Sequence, residues 1–171
     1  MDETGSALRS VAGFMALAAR TAPKTRGKDN LVIKVFEKDE LPDLASRMKE
    51  AGKKTERYET FRRDSENILA SECVLVIGTT SVPLGLDCGF CGEPTCRQAS
   101  DKDITCAYNS GDLGIAAGSA AASAADHRAD NRIMYTVGYT VKEFNLLDKP
   151  VRMALGIPVS GTGKNIYFDR K

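Results

Sequence analysis

Histidine is almost missing from this chain, His127 being the only one in 171 residues. Any metal site must therefore draw on other donors, and a lone histidine beside a helix end reads as a capping or surface residue outside the ligand set. No apolar run approaches the ~20 residues that a membrane-spanning helix needs. The opening Met1-Asp2-Glu3-Thr4-Gly5-Ser6 has neither the basic leader nor the apolar core of a signal peptide, so the expected location is cytoplasmic. A formal net charge of only +1 removes the general electrostatic case for nucleic acid or a membrane surface as partner. There is no internal repeat. There is also no nucleoside-triphosphate loop: around Gly163-Lys164, Pro158 stands where that motif needs its first glycine and Asn165 where it needs serine or threonine. What survives these exclusions is an ordinary globular composition, 42% hydrophobic and 27% charged, on a length that suits one domain over residues 1–171.

Against that background cysteine is the distinctive residue. Four of the five cysteines fall in one stretch, Cys88-Gly89-Phe90-Cys91-Gly92-Glu93-Pro94-Thr95-Cys96 followed by Cys106. In a reducing compartment such a group reads as ligands and not as a disulfide framework. Thiolates favour iron–sulfur clusters, zinc or copper(I) over hard cations. Structural zinc sites usually pair two short knuckles. Here only Cys88 and Cys91 form one, while Cys96 and Cys106 follow at unequal distances, an arrangement that suits the corners of a cubane. Gly89 and Gly92 can take positive φ and bring backbone N–H groups close to inorganic sulfide. The spacing thus favours a 4Fe-4S cluster at Cys88, Cys91, Cys96 and Cys106, with zinc and redox-sensing thiols as the alternatives. Cys73, which belongs to the same strand as the apolar run Val74–Ile77, reads as a small core hydrophobe.

The remaining chain alternates helical and strand periods. Leu8, Val11, Met15 and Ala18 mark an amphipathic helix over Ala7–Ala19, ended by Pro23. A loop carrying Lys24, Arg26 and Lys28 leads into a strand, Leu31–Phe36; these cations either solvate a surface or capture a phosphate. Leu41, Leu44, Ala45, Met48 and Ala51 give a second helix, with Pro42 in its first turn and Gly52 at its end. A third runs past Phe61 and Ile68. Val74–Ile77 is a buried strand. Residues 84–109 form a loop with too few apolar residues for a core of its own. Small residues dominate Ile115–Ala125, which allows close approach of another backbone or a flat ligand. The spacing predicts a helix over Arg132–Phe144 and a strand with alternating apolar residues from Val151 to Ile157.

Two resemblances build on these stretches. The run Cys-Gly-x-Cys-Gly-x-x-x-Cys resembles the iron–sulfur motif of electron-transfer subunits in Rnf-type reductases and of corrinoid iron–sulfur proteins, in which the fourth cysteine stands further downstream than Cys106. The cysteine motif together with Ala18–Lys24, Asp130–Tyr135, Gly156-Ile157-Pro158 and Gly163–Arg170 is similar to a family of uncharacterised prokaryotic proteins containing a ferredoxin domain. More distantly, the order of elements resembles the FMN-dependent nitroreductases. That resemblance implies an α+β fold, a nitroreductase-like α/β sandwich with the cysteine-rich loop inserted, and a homodimer with FMN at the interface. It would place Arg20, Lys24, Arg26 and Lys28 near the flavin phosphate, with Lys164 and Arg170 as later candidates, and Arg26→Ala would weaken FMN without changing iron content. Two functions compete. One is an iron–sulfur redox protein, an iron–sulfur flavin oxidoreductase in its enzymatic form, that exchanges electrons with a bound flavin or a partner protein. The other is a non-catalytic binding module stapled by a metal.

Overall fold

The structure is a computed structural model that describes residues 3–168. Helix α1 (Glu3–Thr21) buries Leu8, Val11, Ala12, Met15 and Ala19, a stripe at helical spacing, and stops short of Pro23. Strand β1 (Leu31–Phe36) follows a tight turn in which Arg26 is left-handed. Helix α2 (Leu41–Gly52) opens with proline in its first turn, where no backbone donor is lost, and α3 (Tyr58–Leu69) packs beside it. Strand β2 (Cys73–Thr79) is buried along its whole length. Beyond the cysteine loop come α4 (Cys96–Asp101), α5 (Ala107–Asp126), β3 (Asp130–Asn131), α6 (Tyr135–Glu143) and β4 (Met153–Ser160).

The four strands make one antiparallel sheet in the order β1-β2-β4-β3. Cys73, Leu75 and Ile77 of the central β2 meet Met15 of α1 and Leu113 of α5 on one face. Val74 and Val76 meet Met48 of α2, Ile68 of α3 and Val141 of α6 on the other. Burial on both faces is why this strand reads as an unbroken apolar run instead of alternating. The result is a helix–sheet–helix sandwich of the α+β class, as the resemblance to nitroreductases implies.

Two expectations change. The helix expected over Arg132–Phe144 begins only at Tyr135, because Asp130 and Asn131 pair with Ser160 and Val159, and Met134 bridges to Gly156. The open edge of β4 supplies backbone partners there, and satisfying them outweighs the local helical period. The stretch 84–109 is not irregular throughout either. It contains α4, started by the Thr95 hydroxyl that accepts the Gln98 N–H at 3.2 Å, and the first residues of α5.

Candidate metal centre

The chain leaves the sheet after Thr79, and the loop that follows brings all four motif cysteines to one cavity. Its remaining walls include Leu84, Leu86, Phe90, Ala99, Ile104 and Tyr108. Cys88 is exposed and Cys91, Cys96 and Cys106 are half-buried. After Cys88 and Cys91 respectively, Gly89 and Gly92 adopt φ of 72° and 92°, and the Gly92 N–H donates to the Gly89 carbonyl at 2.9 Å. Residues with a Cβ resist this left-handed conformation, which is the local reason for glycine after each cysteine. Cys96 is the first residue of α4, and Cys106 caps the 20-residue α5. A helix start favours a negatively charged group beside it. Phe90, 67% exposed, tilts against Tyr108 at the cavity wall with ring centroids 5.3 Å apart.

Distant residues fix the backbone of this loop. The Cys96 N–H donates to Asp87 Oδ1 at 2.7 Å, and the Cys106 N–H to Ser81 Oγ at 3.2 Å. The Arg152 guanidinium, at the start of the last strand, donates to the Asp103 carboxylate at 2.5 Å, to the Asp103 carbonyl, and to Thr105 Oγ1 at 3.3 Å. The Arg152 hydrogen bond holds the Asp103 carboxyl below the usual carboxylate range. Lys102 pairs with Glu93 on the cavity wall at 2.8 Å. Behind the loop lies a polar junction. Asn109, buried, donates to the Val82 carbonyl at 2.8 Å and accepts from Asn30, while Asp112 accepts the Thr25 N–H at 3.0 Å and its hydroxyl at 3.0 Å.

The donor set fits an iron–sulfur cluster in kind: four thiols around a cavity whose walls are largely apolar. Among the described residues no three Cys, His, Asp or Glu side chains converge as the ligands of one ion do; the thiols are distributed around the cavity instead. Its free space is about 20 Å³. Cys73 stands apart in the sheet core, where burial, followed by the nearby charges of Glu37 and Glu72, pushes its thiol up to about 12.

The basic residues divide between the two ends of α1, with Arg20, Lys24, Arg26 and Lys28 at its end and Lys164 near its start. Arg20 donates to Asp29 at 2.5 Å and to the Leu31 carbonyl. Partial burial pushes the Asp29 carboxyl up, but the Arg20 hydrogen bond, the Leu31 amide and the charges of Arg20 and Lys24 outweigh this and hold it low. Lys24 caps the end of α1 through the carbonyls of Ala19, Arg20 and Ala22. Arg26 donates to the Leu84 carbonyl at 2.8 Å, at the root of the cysteine loop, so its side chain is tied to the candidate cluster site. Lys28 is exposed at the same corner, and Lys164 is exposed beyond β4. Gly161, near Lys164, lies against Thr4 and Leu8 at the start of α1, whereas Lys24 sits past its end. A helix of 19 residues separates the two by roughly 28 Å. Arg170 lies outside the described residues.

Sequence reasoning found the four cysteines and missed their supports, Ser81, Asp87, Asn109, Asp112 and Arg152. Single polar residues far from a motif carry no periodic signal. Left-handed backbone marks two of them in the structure, Ser81 and Asp87 with φ of 55° and 46°.

With this geometry in place, comparison with known proteins is informative. A protein of Archaeoglobus fulgidus described as "Uncharacterized protein" is 34% identical over 99% of this chain and 95% of its own length. The model of a family described as "Uncharacterized protein containing a ferredoxin domain (DUF2148)" matches residues 102–170. The chain belongs to this ferredoxin-domain family. The matched span includes Cys106 and Arg152 but begins after Cys96. Among solved structures, an FMN-bound nitroreductase of Desulfitobacterium hafniense superposes with a TM-score of 0.63 at 14% identity, over 91% of this chain and 78% of that one. A BluB-like flavoprotein of Clostridium difficile gives 0.62 at 12%, over 95% and 84%. An FMN-bound nitroreductase of Bacteroides fragilis gives 0.60 at 10%, over 96% and 91%. At these identities the likeness establishes the fold, and this member of the ferredoxin-domain family has the nitroreductase fold.

Proposed function

We propose that this protein is an iron–sulfur redox protein in which Cys88, Cys91, Cys96 and Cys106 hold a 4Fe-4S cluster. The observation that carries the reading is the meeting of all four thiols at one cavity. When bound, such a cluster takes up and releases single electrons, and a flavin such as FMN can exchange them with it. The chain's own contribution is positional. The two left-handed glycines shape the turn that carries Cys88 and Cys91, the start of α5 favours negative charge at Cys106, and Phe90 with Tyr108 adds apolar wall. The ferredoxin-domain family and the nitroreductase fold support redox work over a purely structural staple.

The same proposal extends to assembly. Phe14 and Leu17 of α1 and Ile115 of α5 are 50%, 59% and 48% exposed, and a side chain at Gly111, Gly114 or Gly118 of α5 would meet open space. Packing within one chain does not require glycine there, whereas close approach of a second copy does. A two-fold pairing through this face with its axis across α1 would bring the Lys28 end of one copy beside the Lys164 end of the other. Any FMN would then sit between copies, where the cations of the two ends meet. An external redox protein is the alternative electron partner.

The deciding experiment is iron, sulfide, zinc and flavin analysis of protein purified under nitrogen, with the visible spectrum before and after dithionite. About four irons and four acid-labile sulfides per chain, with a brown absorbance that bleaches on reduction, are expected. A colourless protein holding one zinc per chain overturns the cluster and leaves the metal-stapled binding module.

A further inference from the structure

Residues with a Cβ rarely adopt left-handed backbone and keep it only where their surroundings enforce it, so such residues collect at functional sites. Among the described residues, four that do so surround the cysteine loop, Arg26, Ser81, Asp87 and Asp103. Each has a defined task there. Arg26 holds the Leu84 carbonyl, Asp103 is held by Arg152, Ser81 accepts the Cys106 N–H, and Asp87 accepts the Cys96 N–H. Asp87 differs from Ser81 in being charged, and it directly precedes Cys88.

We propose that Asp87 is a positioning residue of the cluster, fixing the Cys96 backbone through its carboxylate and holding the reduction potential low. The proposal rests on the cluster reading above. Amide donors that reach cluster sulfur stabilise the reduced, more negative state and so raise the potential. Asp87 occupies the Cys96 donor at 2.7 Å and adds a negative charge at the same place, and both effects oppose reduction. Glu93, the carboxylate on the cavity wall, has its charge offset by Lys102. Ser81 occupies the Cys106 donor without adding charge.

The test uses the full chain loaded anaerobically, with potentiometry and the rate of iron loss to a chelator as readouts. Asp87→Asn keeps an acceptor oxygen for the Cys96 amide but loses the charge. It should retain iron and, at a fixed solution potential, show a reduced-to-oxidised ratio about tenfold higher than wild type, equivalent to ~59 mV for a one-electron couple. Asp87→Ala loses the acceptor as well and should also release iron faster, on the order of tenfold. An unchanged potential in Asp87→Asn overturns the electrostatic role, and wild-type iron retention in Asp87→Ala overturns the positioning role. A wild type without a cluster, seen before any variant is compared, overturns the reading beneath the proposal and the proposal with it.

Discussion

At the residue scale, the five cysteines divide into four that meet at a cavity and one that is sealed in the sheet. Serine at Cys88, Cys91, Cys96 or Cys106 should cost most of the bound iron, because each change removes one thiolate from the set; full iron content in a variant would remove that residue from the site. Cys73→Ser should leave iron unchanged and lower stability by about 1–3 kcal/mol, the cost of burying an unpaired hydroxyl. The same burial makes Cys73 a determinant of alkaline stability. Its thiol ionises near 9.0 when unfolded and is pushed up to about 12 in the fold, and Tyr167, which shares a hydrogen bond of 2.8 Å with Ser71, rises from 10.0 to about 12. A raised folded value means that the stabilisation is fully present below pH 9 and is lost as pH climbs towards 12. Denaturant midpoints should therefore fall across that window, and Cys73→Ala should flatten the fall. Arg26→Ala, expected from sequence to affect FMN alone, should instead quicken iron loss by freeing the Leu84 carbonyl.

At the element scale, the closest approach is between α6 and β4. A Cβ at Gly138 would lie 1.7 Å from the Ala154 carbonyl oxygen, and one at Gly156 would lie 2.3 Å from Val137 Cγ1. Neither neighbour can retreat, since one is strand backbone and the other a fully buried valine. Gly138→Ala should destabilise by about 3 kcal/mol, at the upper end of overpacking costs. Thermal unfolding measures this directly, and a wild-type midpoint would show that α6 can shift off the sheet. The glycines of α5 make the contrast: Gly111→Ala should be tolerated by the isolated chain and even strengthen the helix by roughly 0.5–1 kcal/mol, because open space lies beyond it.

At the scale of the whole molecule, that same open face should carry the dimer. Leu17→Glu or Gly118→Glu should weaken association by more than about tenfold, since each buries a charge in an apolar contact, while leaving the monomer folded. Sedimentation at graded concentrations separates these outcomes, and a monomeric wild type would end the two-chain flavin site. Flavin released on heating should fall in parallel with dimer content. Among the described residues no helix is long and apolar enough to cross a membrane.

The sequence by itself determined the parts whose signal is local. Spacing alone located α1, α2 and β2, because helical and strand periods repeat over a few residues, and it singled out the four cysteines, because ligand chemistry needs particular atoms close together. Tertiary structure decided what those parts meet. Arg152 reaches Thr105 from 47 positions away and Arg26 reaches Leu84 from 58, separations that leave no periodic trace. The start of α6 at Tyr135 was set by the edge of β4, and the cations at Lys24–Lys28 and Lys164 were sent to opposite ends of α1 by the way the helix lies along the sheet. Backbone hydrogen bonds and buried polar partners must be satisfied wherever the fold places them. The identity of those partners is therefore a property of the assembled sandwich and not of any stretch within it.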